Sequence, residues 1–577
     1  MAHSIGAANI DLPAEILMLI CESLGNQLDF GTLFNCALAG KTLAYPALVW
    51  LYRVHNQAKV ITSEGDDAEF TDTQDLTYNA RVAVKKDTLS KWALQWKSII
   101  QSSLGITAYP YCLYIRALDL RNLKDLLDDP SFEDVAQKTF FEKEMGKFMR
   151  EPETPSKGKK KGGKTRKTRN DIPQILEGVG ESIINFVSEH ASRNQSKVAL
   201  DDLAGDINAE SLVKWTSRIS KLKSLTVWDG SALGSSVASS IVNNCDGFDD
   251  LTFYTCLPKD NIDEGLASFF SGLKPNSLRS FAALSAGSVG PETILALNNH
   301  AKSLKSLKLD GLRSDAIKNL NLLQGCTALE SLVIVDGDRH VDLESTENDV
   351  FLEVVDWLGH CNRLFELQFV GVLSSPSILT HLCLRNNIRL RKLVVHGYTL
   401  VGNRDFHRAI SHQTSLESLD LKADAEGAFR DDIDTLIESI IKLPKLKDLT
   451  LVSTSDYFRS SEIIKLASHL HTLEEISFSG YDVNDDIWHA MAGLHHLKIL
   501  NVLAVTSFSC DGILAFISTL GDGNKDLQLA VMAQNPLNDI SVGDQAAISK
   551  ALTEKTGGKF DYYLYREADS ESEALSD

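Results

Sequence analysis

Most signatures of chemistry are missing from this chain. There is no Cys-x-x-Cys pair, no His-Glu-x-x-His stretch, no Walker-type phosphate loop and no nucleophile elbow. The usual sequence signals for a zinc ribbon, a zincin, a P-loop enzyme and an α/β-hydrolase are therefore absent. No run reaches the ~18–20 apolar residues that a membrane span needs. The first apolar stretch follows Asp11 and contains Glu15 and Glu22, which is not the pattern of a signal peptide. Basic charge is in short supply: 58 Lys and Arg face 78 Asp and Glu, for a net charge of −20. That balance argues against nucleic acid and against anionic membranes as the main partner. The nine cysteines are odd in number and scattered, as expected of a reduced intracellular protein.

What the chain has is repetition. The pattern apolar-x-x-apolar-x-apolar occurs as Leu222-Leu225-Val227, Phe248-Leu251-Phe253, Leu304-Leu307-Leu309 and onward to Leu497-Leu500-Val502. Weaker copies start at Ile115, Leu278, Asn524 and Phe560. From Leu222 the steps between starts are 26, 30, 26, 25, 35, 26, 26, 30, 27, 24, 27 and 36 residues. The last two apolar positions are two apart, as on one face of a strand. Helical stripes such as Ile433, Leu436, Ile437 and Ile440 separate the copies. Each unit is then one strand plus one helix. Neither buries its apolar face alone, so the units are expected to stack.

The repeat resembles the helix-containing leucine-rich repeat over roughly residues 200–566, with a separated first strand near Ile115. The resemblance implies an α/β solenoid, a leucine-rich-repeat horseshoe with a period of about 26 residues. It says little about function. The strand-end Asn or Cys of that family is mostly replaced, as at Asp310, Val335 and Val370. Cys245, Cys326 and Cys361 each precede a repeat start by three residues, where other repeats place Ala301 or Leu443, and so read as small buried hydrophobes. His300, His360, His412 and His469 precede repeat starts by four residues, at helix C-termini where a cation is favoured. Neither set has metal-ligand spacing, and no metal or cofactor is expected.

Residues 10–54 carry three short helical patterns. Pro13 suits a first turn, Gly25 reads as a helix stop, and Asp29 as a cap for a second helix with Leu33, Phe34, Ala37 and Leu38 inward. A third pattern runs near Tyr45 to Arg53. A unit this small is marginal alone. The order Leu12-Pro13-x-Glu15-Ile16, then Ile20 and Leu24, then Leu33 and Leu38, then "LVWLYR", resembles a fungal F-box. The Trp92/Trp96 helix and the "YIRALDL" strand fit the F-box/leucine-rich-repeat arrangement. This implies binding to the small Skp adaptor of a cullin–RING ubiquitin ligase through Leu12, Pro13, Ile16, Ile20, Leu24 and Leu33. The repeats would hold an unidentified protein substrate, and the chain itself would not be an enzyme. The alternative is a leucine-rich-repeat scaffold or GTPase regulator outside any ligase, for which Arg121 and Arg313 are candidates.

Register identifies the outward strand positions. The sixth position after each repeat start gives Trp228, Tyr254, Val335, Val370 and His396 as substrate-binding candidates. The chain accordingly divides into an F-box at 1–56, an acidic loop and linker helix at 57–112, and a first strand with helical cap at 113–150. A basic insertion at 151–171, the solenoid at 172–566 and an acidic tail at 567–577 follow. Six acids at 62–75 point to a mobile loop. Eight Lys or Arg at 157–169 read as a nuclear import signal or a solvated loop, so cytoplasm, nucleus or both are the expected locations.

Overall fold

The computed structural model describes residues 12–57, 78–149, 171–195, 198–257, 261–533 and 540–564. The acidic loop at 62–75, the basic stretch at 157–169 and the tail at 567–577 lie outside the described residues. The chain forms two compact units. One comprises Met1–Lys259 and Ser268–Ser277, the other Asp260–Ala267 and Leu278–Asp577. Each is a leucine-rich-repeat solenoid of parallel strands alternating with helices.

The first unit opens with three helices, α1 (Ala14–Asn26), α2 (Phe30–Ala39) and α3 (Lys41–Arg53). Pro13 caps α1, where its missing N–H costs nothing. Asp29 caps α2 by accepting from Thr32 N at 2.9 Å. Gly25 does not stop α1. It is buried inside the helix, and a Cβ there would sit 2.9 Å from the Trp50 ring, so glycine is what lets α1 and α3 approach. α3 starts at Lys41, ahead of Tyr45, and carries Pro46 within it.

The long helix α4 (Tyr78–Ser103) buries Trp92, Trp96, Ile99 and Ile100. Strand β1 (Ala117–Asp119) leads into α5 (Leu120–Asp128), followed by β2 (Asp202–Gly205), β3 (Ser224–Asp229) and β4 (Asp250–Thr255). Leu118, Leu203, Leu225 and Leu251 stand in register across these four strands, all fully buried. Strand β2 has no counterpart in the repeats read from sequence, because Gly205 fills its last apolar position.

In the second unit the strands are β5 (Ser280–Ala283), β6 (Ser306–Leu312), β7 (Ser331–Asp336), β8 (Glu366–Val370), β9 (Lys392–Thr399) and β10 (Ser418–Asp424). They continue with β11 (Asp448–Leu451), β12 (Glu475–Asn484), β13 (Ile499–Ser507), β14 (Gln528–Ala533) and β15 (Lys559–Leu564). One apolar column runs through all of them in register, from Phe281 through Leu307, Leu332, Leu367, Leu393, Leu419, Leu449, Ile476, Leu500 and Leu529 to Phe560. The last two repeats correct the sequence register. Leu529, not Leu527, faces Leu500, and Phe560 is a mid-strand residue rather than a repeat start.

Where the strand-end Asn is missing, glycine takes the left-handed backbone at two neighbouring repeats, just after β8 at Gly371 and at a bulge inside β9 at Gly397. Gly371 and Gly397 have φ of 74° and 82°, and a Cβ on Gly397 would lie 3.2 Å from the Gly371 Cα. Among the described residues no helix is long and apolar enough to cross a membrane.

Candidate functional site

The helical head completes its own core. Cys21, Leu33, Ala47, Trp50 and Val54 are buried together, with Met18, Leu24, Phe30, Cys36, Ala37 and Leu51 packed around them. From α1 the core takes Leu17, Cys21 and Gly25. At 100° per residue, Ile16, Leu19 and Ile20 fall on a different stripe, and they and Leu12, just ahead of the helix, are all exposed, Leu19 at 58%. Glu15 and Glu22 share one edge of that stripe. A helix serving only its own bundle would carry polar residues there.

Of the six residues assigned to adaptor contact, Leu12, Pro13, Ile16 and Ile20 are exposed. Leu24 is half-buried against the core. Leu33 is fully buried and offers no surface, unlike its assignment: it sits in the core with Cys21 of α1 and Ala47 and Trp50 of α3, with Phe30, Cys36 and Ala37 of its own helix packed around it. Phe34 and Leu38, read as inward, are instead exposed at 55% and 70%. They, Leu19, Leu28 and Tyr45 are exposed apolar residues of the head outside that assignment. Leu19 was recoverable, because it lies one turn from Ile16 and next to Ile20.

The outward strand residues fall into two groups. In the second unit Val335, Val370 and His396 are direct neighbours across β7, β8 and β9, flanked by Asp310 and Lys422 in the same row. His396 Nε2 lies 2.9 Å from Asp420 Oδ1, within ion-pair range but off the line of a hydrogen bond. Val394, one row away on the same face between Gln368 and Asp420, is buried.

In the first unit Trp228 and Tyr254 stack, with ring centroids 5.3 Å apart and planes 15° from parallel. Arg121 joins them. Its Nη1 donates to Tyr254 Oη at 2.8 Å, and its guanidinium carbon lies 5.5 Å from the Tyr254 ring centre. The same guanidinium forks onto Asp119, Nε to Oδ1 at 2.9 Å and Nη2 to Oδ2 at 2.7 Å. The Asp119 hydrogen bonds and charge hold the Arg121 pKa above its ordinary range.

Cysteine behaves as the spacing suggests. Cys245, Cys326 and Cys361 are buried, and burial pushes each thiol up to about 12. Their sulfurs point at backbone carbonyls of the preceding repeat, as Cys245 Sγ does at Thr216 O, 3.4 Å away. Among the described residues no group of three or more His, Cys, Asp or Glu is placed to hold a metal ion.

No family model and no curated protein matches the chain. Similar solved structures include an internalin from Listeria monocytogenes, 14% identical, covering 56% of this chain and 79% of that one, with a TM-score of 0.33. The Rad7 and Elc1 complex from yeast is 15% identical, covering 63% and 87%, with a TM-score of 0.36. The leucine-rich-repeat-containing protein LegL7 from Legionella pneumophila is 11% identical, covering 60% and 94%, with a TM-score of 0.29. At these scores none of the likenesses bears on function. By its own strand register the chain has the α/β solenoid fold of leucine-rich repeats, headed by three helices with an apolar outer stripe.

Proposed function

We propose that the chain is a non-catalytic substrate receptor of a Skp–cullin–F-box ubiquitin ligase. The head formed by α1, α2 and α3 takes the Skp adaptor, and the open strand face takes a protein substrate. The exposed stripe of Leu12, Ile16, Leu19 and Ile20 carries this reading. Ile16, Leu19 and Ile20 remain outside after Leu17, Cys21 and Gly25 have been buried from the same helix, and Leu12 extends the surface ahead of it. An apolar surface of that kind is the half of an interface that a partner completes. The sequence order around it resembles the F-box, which supplies the partner's identity. Ubiquitin transfer would come from other subunits, and this chain would contribute proximity.

Co-expression of the full chain with a Skp adaptor tests the proposal. Leu12→Ala with Pro13→Ala, and separately Ile16→Asp with Ile20→Asp, should abolish co-purification with helix content unchanged. Leu33→Ala should instead loosen the head itself, since a fully buried leucine costs about 2–5 kcal/mol to truncate. Full adaptor binding by both surface variants would overturn the assignment of this stripe, and no co-purification of the unaltered chain would leave it a leucine-rich-repeat scaffold or GTPase regulator outside any ligase.

A further inference from the structure

Three rows of side chains cross the open face of the first unit. Asp202, Ser224 and Asp250 form the first, in register over β2, β3 and β4. Asp119, Ala204, Thr226 and Thr252 form the second. Trp228 and Tyr254 stand two residues further along β3 and β4, braced by Arg121. Small side chains thus floor a shallow basin with carboxylates at one end and an aromatic wall at the other. Four residues of strand separate the ends, ~13 Å at ~3.3 Å per residue.

Each end is built. The chain of contacts Asp119–Arg121–Tyr254–Trp228 fixes the wall before any ligand arrives. It also spends the one guanidinium on Asp119, and leaves Trp228 49% exposed. Every other tryptophan that the structure describes is buried at 8% exposure or less. At the acidic end Asp250 Oδ2 accepts from Ser224 Oγ at 3.2 Å. Asp202 Oδ1 is shut off from solvent and accepts no hydrogen bond. Burial first, then the neighbouring Asp119, pushes the Asp202 carboxyl up to about 6. A carboxylate short of partners gains most from an incoming cation.

We infer that this face binds an extended segment of a protein substrate, laying an apolar or aromatic side chain on Trp228 and a Lys or Arg against Asp202 and Asp250. Ridge spacing sets the two anchors about four residues apart on the bound strand. Cation and aromatic anchor are read together, because the wall alone would take any apolar residue. Three carboxylates, Asp119, Asp202 and Asp250, around one arginine exclude an acidic segment. That the segment belongs to a ligase substrate rests on the receptor reading above; the chemistry of the face does not.

The purified full chain, without adaptor, is titrated with fluorescent Gly/Ser peptides carrying one Trp and one Lys at varied separation. Binding should peak at a separation of about four residues. Replacing the peptide Lys by Glu should remove it. Trp228→Ala, and the double variant Asp202→Asn with Asp250→Asn, should each weaken it by ~10-fold or more. Trp228→Phe keeps an aromatic wall and should retain most of it, and thermal melts check that each variant is folded. Equal binding of Lys and Glu peptides, no binding by the unaltered chain, or unchanged binding by folded variants overturns the inference. Adaptor co-purification is independent of this titration. A negative titration with intact adaptor binding removes the basic-segment site alone, and the opposite result removes the ligase alone.

Discussion

His55 and His407 show how much a single ring is shaped by its surroundings. His55 is 2% exposed. Its Nδ1 donates to the Tyr52 carbonyl at 2.8 Å, and its ring meets Trp96 edge-on. His407 is fully buried beside Tyr398, with Nδ1 unpartnered. Burial lowers each to about 4, only partly opposed by the Tyr52 hydrogen bond and then Asp119 at His55, and by Asp432 at His407. An unfolded histidine titrates near 6.5. Between those values the unfolded chain binds the extra proton, so stability falls as pH drops from about 6.5 to about 4. The loss is on the order of 3 kcal/mol per histidine if the shift is fully expressed. Asp202 acts in the opposite direction in the first unit. Its raised pKa adds stability below its unfolded value, which is lost as pH rises through about 6. In the second unit Asp448 and Glu475, also raised by burial, act in that same opposite sense, so the His407 contribution is read by difference. Urea midpoints measured near pH ~7.5 and pH ~5 should differ, and His407→Gln should flatten that difference. A difference unchanged by His407→Gln would contradict the burial argument.

Between elements, one acceptor ties α4 to α5. Asn122 Oδ1 accepts from both indole nitrogens, Trp92 at 2.7 Å and Trp96 at 2.8 Å. Asn122→Leu strands both N–H groups beside a buried surface and should cost about 2–5 kcal/mol, visible as a lowered melting temperature of the first unit. An unchanged melt would mean that water or another acceptor takes over. The stripe holding Trp92 and Trp96 was legible in the sequence; their shared acceptor was not, because Asn122 lies 30 and 26 residues away. The same limit hid the aromatic wall. Trp228 and Tyr254 follow from register, but Arg121 reaches Tyr254 across 133 residues. Strands were easy wherever three apolar positions recurred, and β2 was lost where Gly205 replaced one. The register of β14 slipped because Leu527, Leu529 and Val531 alternate and two frames fit. Helix α2 carries Phe30, Leu33, Phe34, Ala37 and Leu38 on one stripe about 140° wide, so periodicity fixed the stripe but not which edge of it turns inward, and Phe34 and Leu38 are the edge left outside. Packing against Trp50 and Cys21 chose Leu33.

At the scale of the whole molecule, stacking rather than a central core sets how damage spreads. In the second unit each strand of the apolar column meets only the strands beside it, and the helices repeat the same neighbour relation. Stability in such an array is close to a sum of repeat and nearest-neighbour terms. Leu449 tests this. It is 1% exposed in β11, between Leu419 of β10 and Ile476 of β12. Leu449→Ala should cost about 2–5 kcal/mol, yet the cost should be felt locally. Amide exchange followed by mass spectrometry should speed up in β10, β11 and β12 and in the helix Arg430–Ile440 beneath them. Strands β6 and β15, toward the ends of the same unit, should keep their protection. A single cooperative core would predict uniform loss across the unit instead. The distinction matters for recognition. If repeats respond one at a time, the row Val335–Val370–His396 and its neighbours are tuned independently of the helical head. Substitutions on the strand face then alter what is bound without disturbing the surface that α1 presents.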